Sequence, residues 1–190
     1  QNHNNGVTGA VLCNFSHGLV ERADEDNAWV CVLAKSYEMI DDSTWEFKLR
    51  DDVTWHNGDP FTAADVKYTY ERAATDESLA ENHIFKVIKE VQIIDDYTVR
   101  FATDGPYPTL LSLLSKNGSQ VMPSKYIEEN GLDYYLEHPI GCGPYQFKEW
   151  VKDNVVVLER YDDYFGGTPY WDEVRFRAIP EASTRVAELL

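Results

Sequence analysis

Few residues in this chain could carry catalytic or metal chemistry, and their spacing does not bring them together. Five histidines lie far apart in sequence, at His3, His17, His56, His83 and His138. They show neither the HExxH nor the His-x3-His spacing that places two metal ligands on one helix face. The acidic run 24–27 lacks the alternating oxygen ligands and the glycine of a calcium loop. No GxSxG motif occurs, so the sequence predicts no catalytic residue, no metal site and no cofactor, and we expect a protein that is not an enzyme.

The segment Gly141-Cys142-Gly143-Pro144-Tyr145 contains a Gly-x-Gly pattern, which also occurs in phosphate-binding loops. A dinucleotide-binding loop needs a third glycine and then a helix whose first amides bind the phosphate. Here a proline and a strand pattern follow, so we predict a tight backbone bend and no nucleotide site.

Three cysteines, Cys13, Cys31 and Cys142, have no CxxC spacing, which argues against a zinc ribbon and against a disulfide scaffold. Free cysteines are most often small buried thiols, and we interpret these three in that way. A disulfide between Cys13 and Cys31 remains an open alternative at this point.

The charge balance excludes two classes of partner. The chain has 33 acidic and 17 basic residues, giving a formal net charge of −16. Contacts to nucleic-acid phosphates or to anionic lipid need clusters of Lys and Arg, which are missing. No apolar run approaches the ~18 residues of a membrane-spanning helix. At 43% hydrophobic and 13% aromatic residues, the chain can form a packed core.

Hydrophobic patterning predicts the strands that would position any site. Three β-hairpins are expected, each turning at Asp-rich residues: 36–50, 85–101 and 145–160. Further short strands are expected over 29–33, 53–56 and 174–179.

Helices are expected between these strands. Val7, Val11, Phe15 and Leu19 have the spacing of one helix face over 7–22. A second helix starts at Thr62, with Asp65 as the capping acid and with Phe61 and Val66 as a hydrophobic staple. Others are expected over 106–115, 123–130 and from Pro180 onward. Because helices and strands mix without a regular βαβ alternation, the class is α/β or α+β.

The two ends of the sequence suggest a part of a larger protein. The sequence begins at Gln1 with no basic region and apolar run before it, so we expect a chain that was processed or excised from a longer one. The helix predicted after Pro180 starts an apolar stripe at Val186, Leu189 and Leu190, for which no partner element follows.

Several motifs, in order along the chain, resemble one family. Residues 33–66 contain a strand ending in Leu-Arg, an aromatic, an Asn-Gly turn, a proline and Thr-Ala-Ala-Asp-Val. This stretch resembles the signature of the family 5 extracellular solute-binding proteins of ABC importers, which are receptors for peptides, nickel and oligosaccharides. Further resemblances to this family lie at 18–20, 95–101, 106–108, 139–145 and 158–167. In the 139–145 motif, Cys142 replaces the threonine that is usual in the family.

This resemblance implies a fold and a domain organisation. We expect a type II periplasmic-binding-protein fold of the α/β class, of which the chain forms the first lobe only. Residues 1–22 and 125–190 would form a base subdomain and residues 23–124 an inserted subdomain. The second lobe would be absent, and the ligand would lie between two lobes that close like a hinge.

The resemblance also implies a function. The chain would belong to the substrate-binding component of an ABC importer, which captures oligopeptides or dipeptides and delivers them to the permease subunits. It would be extracytoplasmic, in the periplasm or as a cell-surface lipoprotein. A nickel-chelate or oligosaccharide receptor, or a ligand sensor or peptide chaperone on the same fold, is the alternative.

Two polar segments are the candidate ligand-binding residues, from their positions in the family fold. Asn4, Asn5, Gly6, Val7 and Thr8 would lie at the mouth of the cleft, where backbone groups can pair with an extended peptide. Asn117, Gly118, Ser119 and Gln120 would face the cleft from the inserted subdomain. Polar surface loops are the alternative interpretation of both segments. Phe15 and His17 are expected to serve helix packing and capping.

Overall fold

The structure is a computed structural model that describes residues 6–23 and 28–188. In this part of the chain the helices are α1 Gly6–Phe15, α2 Ala63–Thr75, α3 Asn82–Phe85, α4 Leu110–Leu114, α5 Ser124–Asn130, α6 Leu132–Glu137 and α7 Ala182–Ala187. The strands are β1 Val20–Arg22, β2 Trp29–Cys31, β3 Ala34–Asp41, β4 Thr44–Leu49, β5 Ile88–Asp95, β6 Thr98–Thr103, β7 Tyr145–Val151, β8 Val155–Arg160 and β9 Glu173–Arg177. The mixture of helices and antiparallel strands agrees with the predicted class.

The larger sheet is built from the first two predicted hairpins. Its strand order is β3-β4-β6-β5, with every neighbouring pair antiparallel. Trp45, Phe47 and Leu49 alternate with more exposed residues along β4 and point into the core. Helix α2 packs against this sheet through Val66 and Tyr70, neither of which is exposed. Burial of side chains of this size stabilises the fold by about 2 kcal/mol each.

The smaller sheet has the order β7-β8-β9 and comes from the third hairpin and the strand after it. Helix α1 packs on one of its faces, where Phe15, Tyr145 and Leu158 form a separate small core. The larger sheet lies entirely between α1 and the smaller sheet in sequence, because its strands span residues 34–103.

The prediction of a helix over 7–22 is wrong beyond Phe15. Leu19 is buried, but its carbonyl oxygen accepts bonds from the amides of Val32 and Ala34, at 3.0 and 3.1 Å. These tertiary backbone bonds draw the chain out of the helix and start the β1–β2 pair. Periodicity alone does not reveal such bonds, because their partners lie 13 and 15 residues further along the chain.

Other differences are smaller. The strand expected over 53–56 is reduced to one bridge between Thr54 and Pro60. The helical turn α3 precedes the second hairpin, and α6 follows Gly131, where only α5 was expected. The three cysteines are free, so Cys13 and Cys31 form no disulfide. The interpretation as buried thiols holds for Cys142 but is wrong for Cys13, which is exposed, while Cys31 is partly buried.

Candidate functional site

A groove with a volume of about 810 Å³ lies beside the smaller sheet. Its walls come from α1, the end of α2, the 117–122 segment, α6, and the strands β7 and β8. Its lining includes Thr8, Asn117, Gly118 and Gln120, and we call these four residues the groove rim. Much of the remaining lining is apolar and includes Leu12, Phe147, Val156 and Leu158.

The structure brings parts of the two predicted segments together at this rim. Asn4 and Asn5 lie outside the described residues. Gly6 to Thr8 form the start of α1, not a loop, and Thr8 lines the groove rim. Asn117, Gly118 and Gln120 belong to the same rim, and Asn117 lies close to α1.

Ser119 has a different environment from its neighbours. It is 1% exposed, and its hydroxyl donates to the carbonyl oxygen of Leu113 at 2.8 Å. Its own carbonyl oxygen accepts from the Tyr70 hydroxyl at 2.8 Å. The Ser119 side chain therefore anchors the segment to the core, while Asn117 on the same segment is exposed.

Further bonds fix the backbone of this segment. Gly118 has a φ of +96°, a conformation that glycine adopts without strain, and its amide donates to Gln120 Oε1 at 2.8 Å. The amide of Val121 donates to the His17 carbonyl oxygen at 2.9 Å. The Met122 amide donates to Thr69 Oγ1 at 2.8 Å. The rim is thus tied to α2 and to the turn that follows α1.

Helix α1 approaches the same segment closely at Gly9, which is buried. A β-carbon at Gly9 would lie 2.7 Å from Nδ2 of Asn117 and 3.1 Å from its Cγ. The Asn117 carboxamide therefore occupies the space that a side chain at position 9 would need.

Charged groups beside the rim are paired with one another. Arg72 lies 3.3 Å from Asp76, and Lys116 lies 3.0 Å from Glu81. Because these pairs are partly exposed, each contributes little to stability, of the order of 0–1 kcal/mol. They leave the rim with balanced charge, despite the acidic composition of the whole chain.

His17, expected to serve packing and capping, is buried behind the rim. Its Nδ1 lies 3.1 Å from Glu21 and its Nε2 lies 2.9 Å from the Tyr164 hydroxyl. The hydrogen bond from His17 lowers the pKa of the Glu21 carboxyl. Both ring nitrogens thus have protein partners, which is a structural role.

The Gly-Cys-Gly segment forms the predicted bend, and His56 holds it in place. The Gly141 amide donates to His56 Nδ1 at 3.1 Å, so Nε2 carries the proton and donates to the Gly143 carbonyl oxygen at 3.0 Å. Burial lowers the pKa of His56 to about 4, which keeps the imidazole neutral. Both glycines are required, because a β-carbon at Gly141 or Gly143 would lie 2.0 or 2.6 Å from the backbone of Phe15. This role of His56 carries no sequence signal.

Asp65 does more than cap α2. One oxygen accepts from the Thr62 amide at 2.9 Å and from Trp55 Nε1 at 3.2 Å. The other accepts from the amide and the hydroxyl of Ser124, at 2.8 and 2.7 Å. Burial raises the pKa of this carboxyl, and the four hydrogen bonds act in the opposite direction. The acid of the Thr-Ala-Ala-Asp-Val motif thus joins α2 to the start of α5.

Within residues 6–23 and 28–188, no three or more His, Cys, Asp or Glu side chains form a group that could hold a metal ion. In the same ranges, no helix is long and apolar enough to cross a membrane.

Comparison with known proteins adds a family and a set of relatives. The sequence model described as "Bacterial extracellular solute-binding proteins, family 5 Middle" matches residues 28–190. The glutathione-binding protein GsiB of Pectobacterium atrosepticum is 30% identical over 189 residues, covering 98% of this chain and 36% of GsiB. The oligopeptide-binding protein AppA of Bacillus subtilis is 32% identical over 185 residues, covering 93% of this chain and 34% of AppA. The chain thus spans about a third of the length of these relatives.

Solved structures resemble the chain over nearly all of its length. AppA in complex with a nonapeptide has a TM-score of 0.85 at 28% identity, covering 98% of this chain and 38% of that one. NikZ from Campylobacter jejuni, in complex with Ni(L-His), has a TM-score of 0.83 at 30% identity, covering 93% of this chain and 36% of the NikZ chain.

Proposed function

We propose that this chain, which belongs to the bacterial extracellular solute-binding proteins of family 5, forms part of a receptor that captures short peptides for an ABC importer. The receptor would act outside the cytoplasmic membrane, in the periplasm or as a cell-surface lipoprotein, and would deliver its ligand to the permease subunits. The observation that carries this proposal is the groove rim, where Thr8 lines the same groove as Asn117, Gly118 and Gln120.

The rim has chemistry suited to a peptide. The exposed carboxamide of Asn117 offers two N–H donors and one carbonyl acceptor, the same kinds of group that a peptide backbone presents. Hydrogen bonds to the main chain give affinity that depends little on the side chains of the ligand. The balanced charge beside the rim also suits a ligand without a strong net charge.

The domain division belongs to the same proposal. We assign residues 1–22 and 125–190 to a base subdomain and residues 23–124 to an inserted one. This division is supported by the larger and the smaller sheet, since β3–β6 lie wholly within the inserted range and β7–β9 wholly within the base. The β1–β2 pair joins the two ranges. The rim then lies where the two subdomains meet, and further chain would supply a second lobe that closes over the ligand.

The relatives support a peptide ligand and one alternative. AppA is described as oligopeptide-binding and its structure contains a nonapeptide. NikZ contains Ni(L-His), which makes a nickel chelate the second candidate. An oligosaccharide receptor, a ligand sensor or a peptide chaperone would use the same lobe.

Calorimetry on the full-length protein tests the proposal. We expect polyalanine peptides of different lengths and a mixed peptide pool to bind, and nickel–histidine not to bind. Asn117→Ala should weaken the peptide affinity by about tenfold, the equivalent of one hydrogen bond. Asn130→Ala is the matched control, because Asn130 is exposed at the end of α5 and bonds only within that helix. Binding of nickel–histidine alone would overturn the peptide assignment.

A further inference from the structure

A glycine in the interior of α1 is unfavourable for the helix itself. Glycine gains more backbone freedom in the unfolded chain than alanine does, so it destabilises a helix interior. Gly9 is nevertheless buried at this place, one residue before the exposed Ala10. What the absent side chain provides is room for the Asn117 carboxamide, which lies 2.7 to 3.5 Å from the position of a β-carbon.

The backbone that carries Asn117 cannot easily move to make room. The Gly118 amide is held by Gln120, and the Ser119 hydroxyl is held by the carbonyl oxygen of Leu113. A methyl group at position 9 would therefore displace the Asn117 side chain and leave the loop in place. Such a displacement costs the fold little, because Asn117 is exposed and its side chain can rotate to another staggered conformation.

We propose that Gly9 is a positioning residue for ligand binding, which sets the orientation in which the Asn117 carboxamide pairs with a main-chain peptide group of the ligand. This inference rests on the proposed function, since it concerns the same rim. The inference assigns recognition of the ligand main chain to the Asn117 side chain. It also explains why α1 has a glycine at position 9, where alanine would favour the helix.

A double-mutant cycle tests this inference. Full-length wild type, Gly9→Ala, Asn117→Ala and the double variant are titrated with a polyalanine peptide, whose side chains contribute little. Gly9→Ala should weaken binding by about tenfold and leave the melting temperature unchanged or higher, because alanine favours the helix. The double variant should bind no more weakly than Asn117→Ala alone, because Gly9 acts only through Asn117.

Ala10→Ser is the matched control, since it adds one atom at the neighbouring exposed position of the same helix and should bind like wild type. The inference would be overturned if the losses of peptide affinity in Gly9→Ala and Asn117→Ala added up in the double variant. It would also be overturned if both single variants bound the peptide as tightly as wild type. If wild type binds neither polyalanine nor any peptide of a mixed pool, the proposed function fails and this inference fails with it. These outcomes are distinct, because the first two require normal binding by wild type.

Discussion

At the scale of single residues, His56 makes the stability of the fold depend on pH. Burial lowers its pKa from 6.5 to about 4, so between these values the unfolded chain binds a proton that the folded chain does not. The stabilising effect of the neutral ring is complete above pH 6.5 and is lost as the pH falls to about 4. Its full size is at most about 3 kcal/mol.

We expect His56→Gln to be less sensitive to pH over this window than wild type, because glutamine can bond the same bend but does not titrate. Urea unfolding of both proteins between about pH 7.5 and pH 4, the range in which histidine titrates, measures how the free energy of unfolding depends on pH. His83→Gln is the control, because His83 is exposed. Equal pH slopes for wild type and His56→Gln would contradict the prediction.

Cys142 is the second residue with a specific expectation. It is 1% exposed, and burial raises the pKa of its thiol to about 12, so the thiol is neutral and unreactive at ordinary pH. Because threonine has a similar volume, we expect Cys142→Thr to change the free energy of unfolding by less than about 1 kcal/mol. Urea unfolding measures this change.

The reactivity of the thiols gives a separate test. In the folded protein a thiol reagent should modify the exposed Cys13 rapidly and Cys142 only after unfolding. Rapid modification of both would show that the bend opens.

At the scale of elements, the Asp65 carboxylate connects α2 to α5. Asp65→Ala would leave four donors without their acceptor, on Thr62, Trp55 and Ser124. Each unsatisfied buried donor costs about 1 kcal/mol or more, so we expect a loss of at least about 4 kcal/mol in the free energy of unfolding.

Chemical denaturation of Asp65→Ala beside Asp96→Ala measures this loss. Asp96 is exposed in the β5–β6 turn, and its substitution should have little effect. A loss below about 1 kcal/mol in Asp65→Ala would mean that water replaces the carboxylate, contrary to the burial seen here.

The elements themselves are largely predictable from sequence. All three hairpins, and the helices that begin near Thr62, Leu110, Ser124 and Ala182, lie where alternation, helix-start signals and helical periodicity place them. The end of α1 and the strand β1 are not predictable in this way, although β2 lies within the strand expected over 29–33. They depend on the hydrogen bonds that the Leu19 carbonyl oxygen accepts from the amides of Val32 and Ala34, and no local sequence pattern indicates these bonds.

At the scale of the whole molecule, the type II solute-binding fold that the motifs imply is confirmed by the similarity to solved structures. The ligand-binding residues remain a prediction. Sequence position in the family fold selects Thr8 and the 117–120 segment, but it does not show that Ser119 is buried or that Gly9 contacts Asn117. The Gly9–Asn117 contact joins segments about 100 residues apart, and Ser119 is fixed by tertiary hydrogen bonds with Leu113 and Tyr70; a single sequence reveals neither.

The isolated 190-residue chain should self-associate. Three aromatic side chains are largely exposed near the smaller sheet, with Trp150 at 61%, Tyr170 at 83% and Trp171 at 63%. Apolar surface of this kind favours association, while the net charge of −16 opposes it. Added salt screens the repulsion and should therefore strengthen the association.

Sedimentation at several concentrations, with and without salt, measures this behaviour. A variant with Trp150→Glu and Trp171→Glu should sediment as a monomer, and Lys152→Glu is a charge control that leaves the aromatic side chains in place. A strictly monomeric wild type at all concentrations would contradict the prediction.

The bend at 141–143 also has a consequence for the order in which the chain folds. It joins Phe15 and His56 to residues that are synthesised long after them, so its contacts close very large loops. The entropy of closing such loops delays their formation, and local hairpins can form much earlier. During synthesis, the packing of the N-terminal half therefore cannot be completed before residue 143 has been added. If the bend forms after the rate-limiting step, His56→Ala will accelerate unfolding and leave the folding rate nearly unchanged, which stopped-flow kinetics in urea can measure.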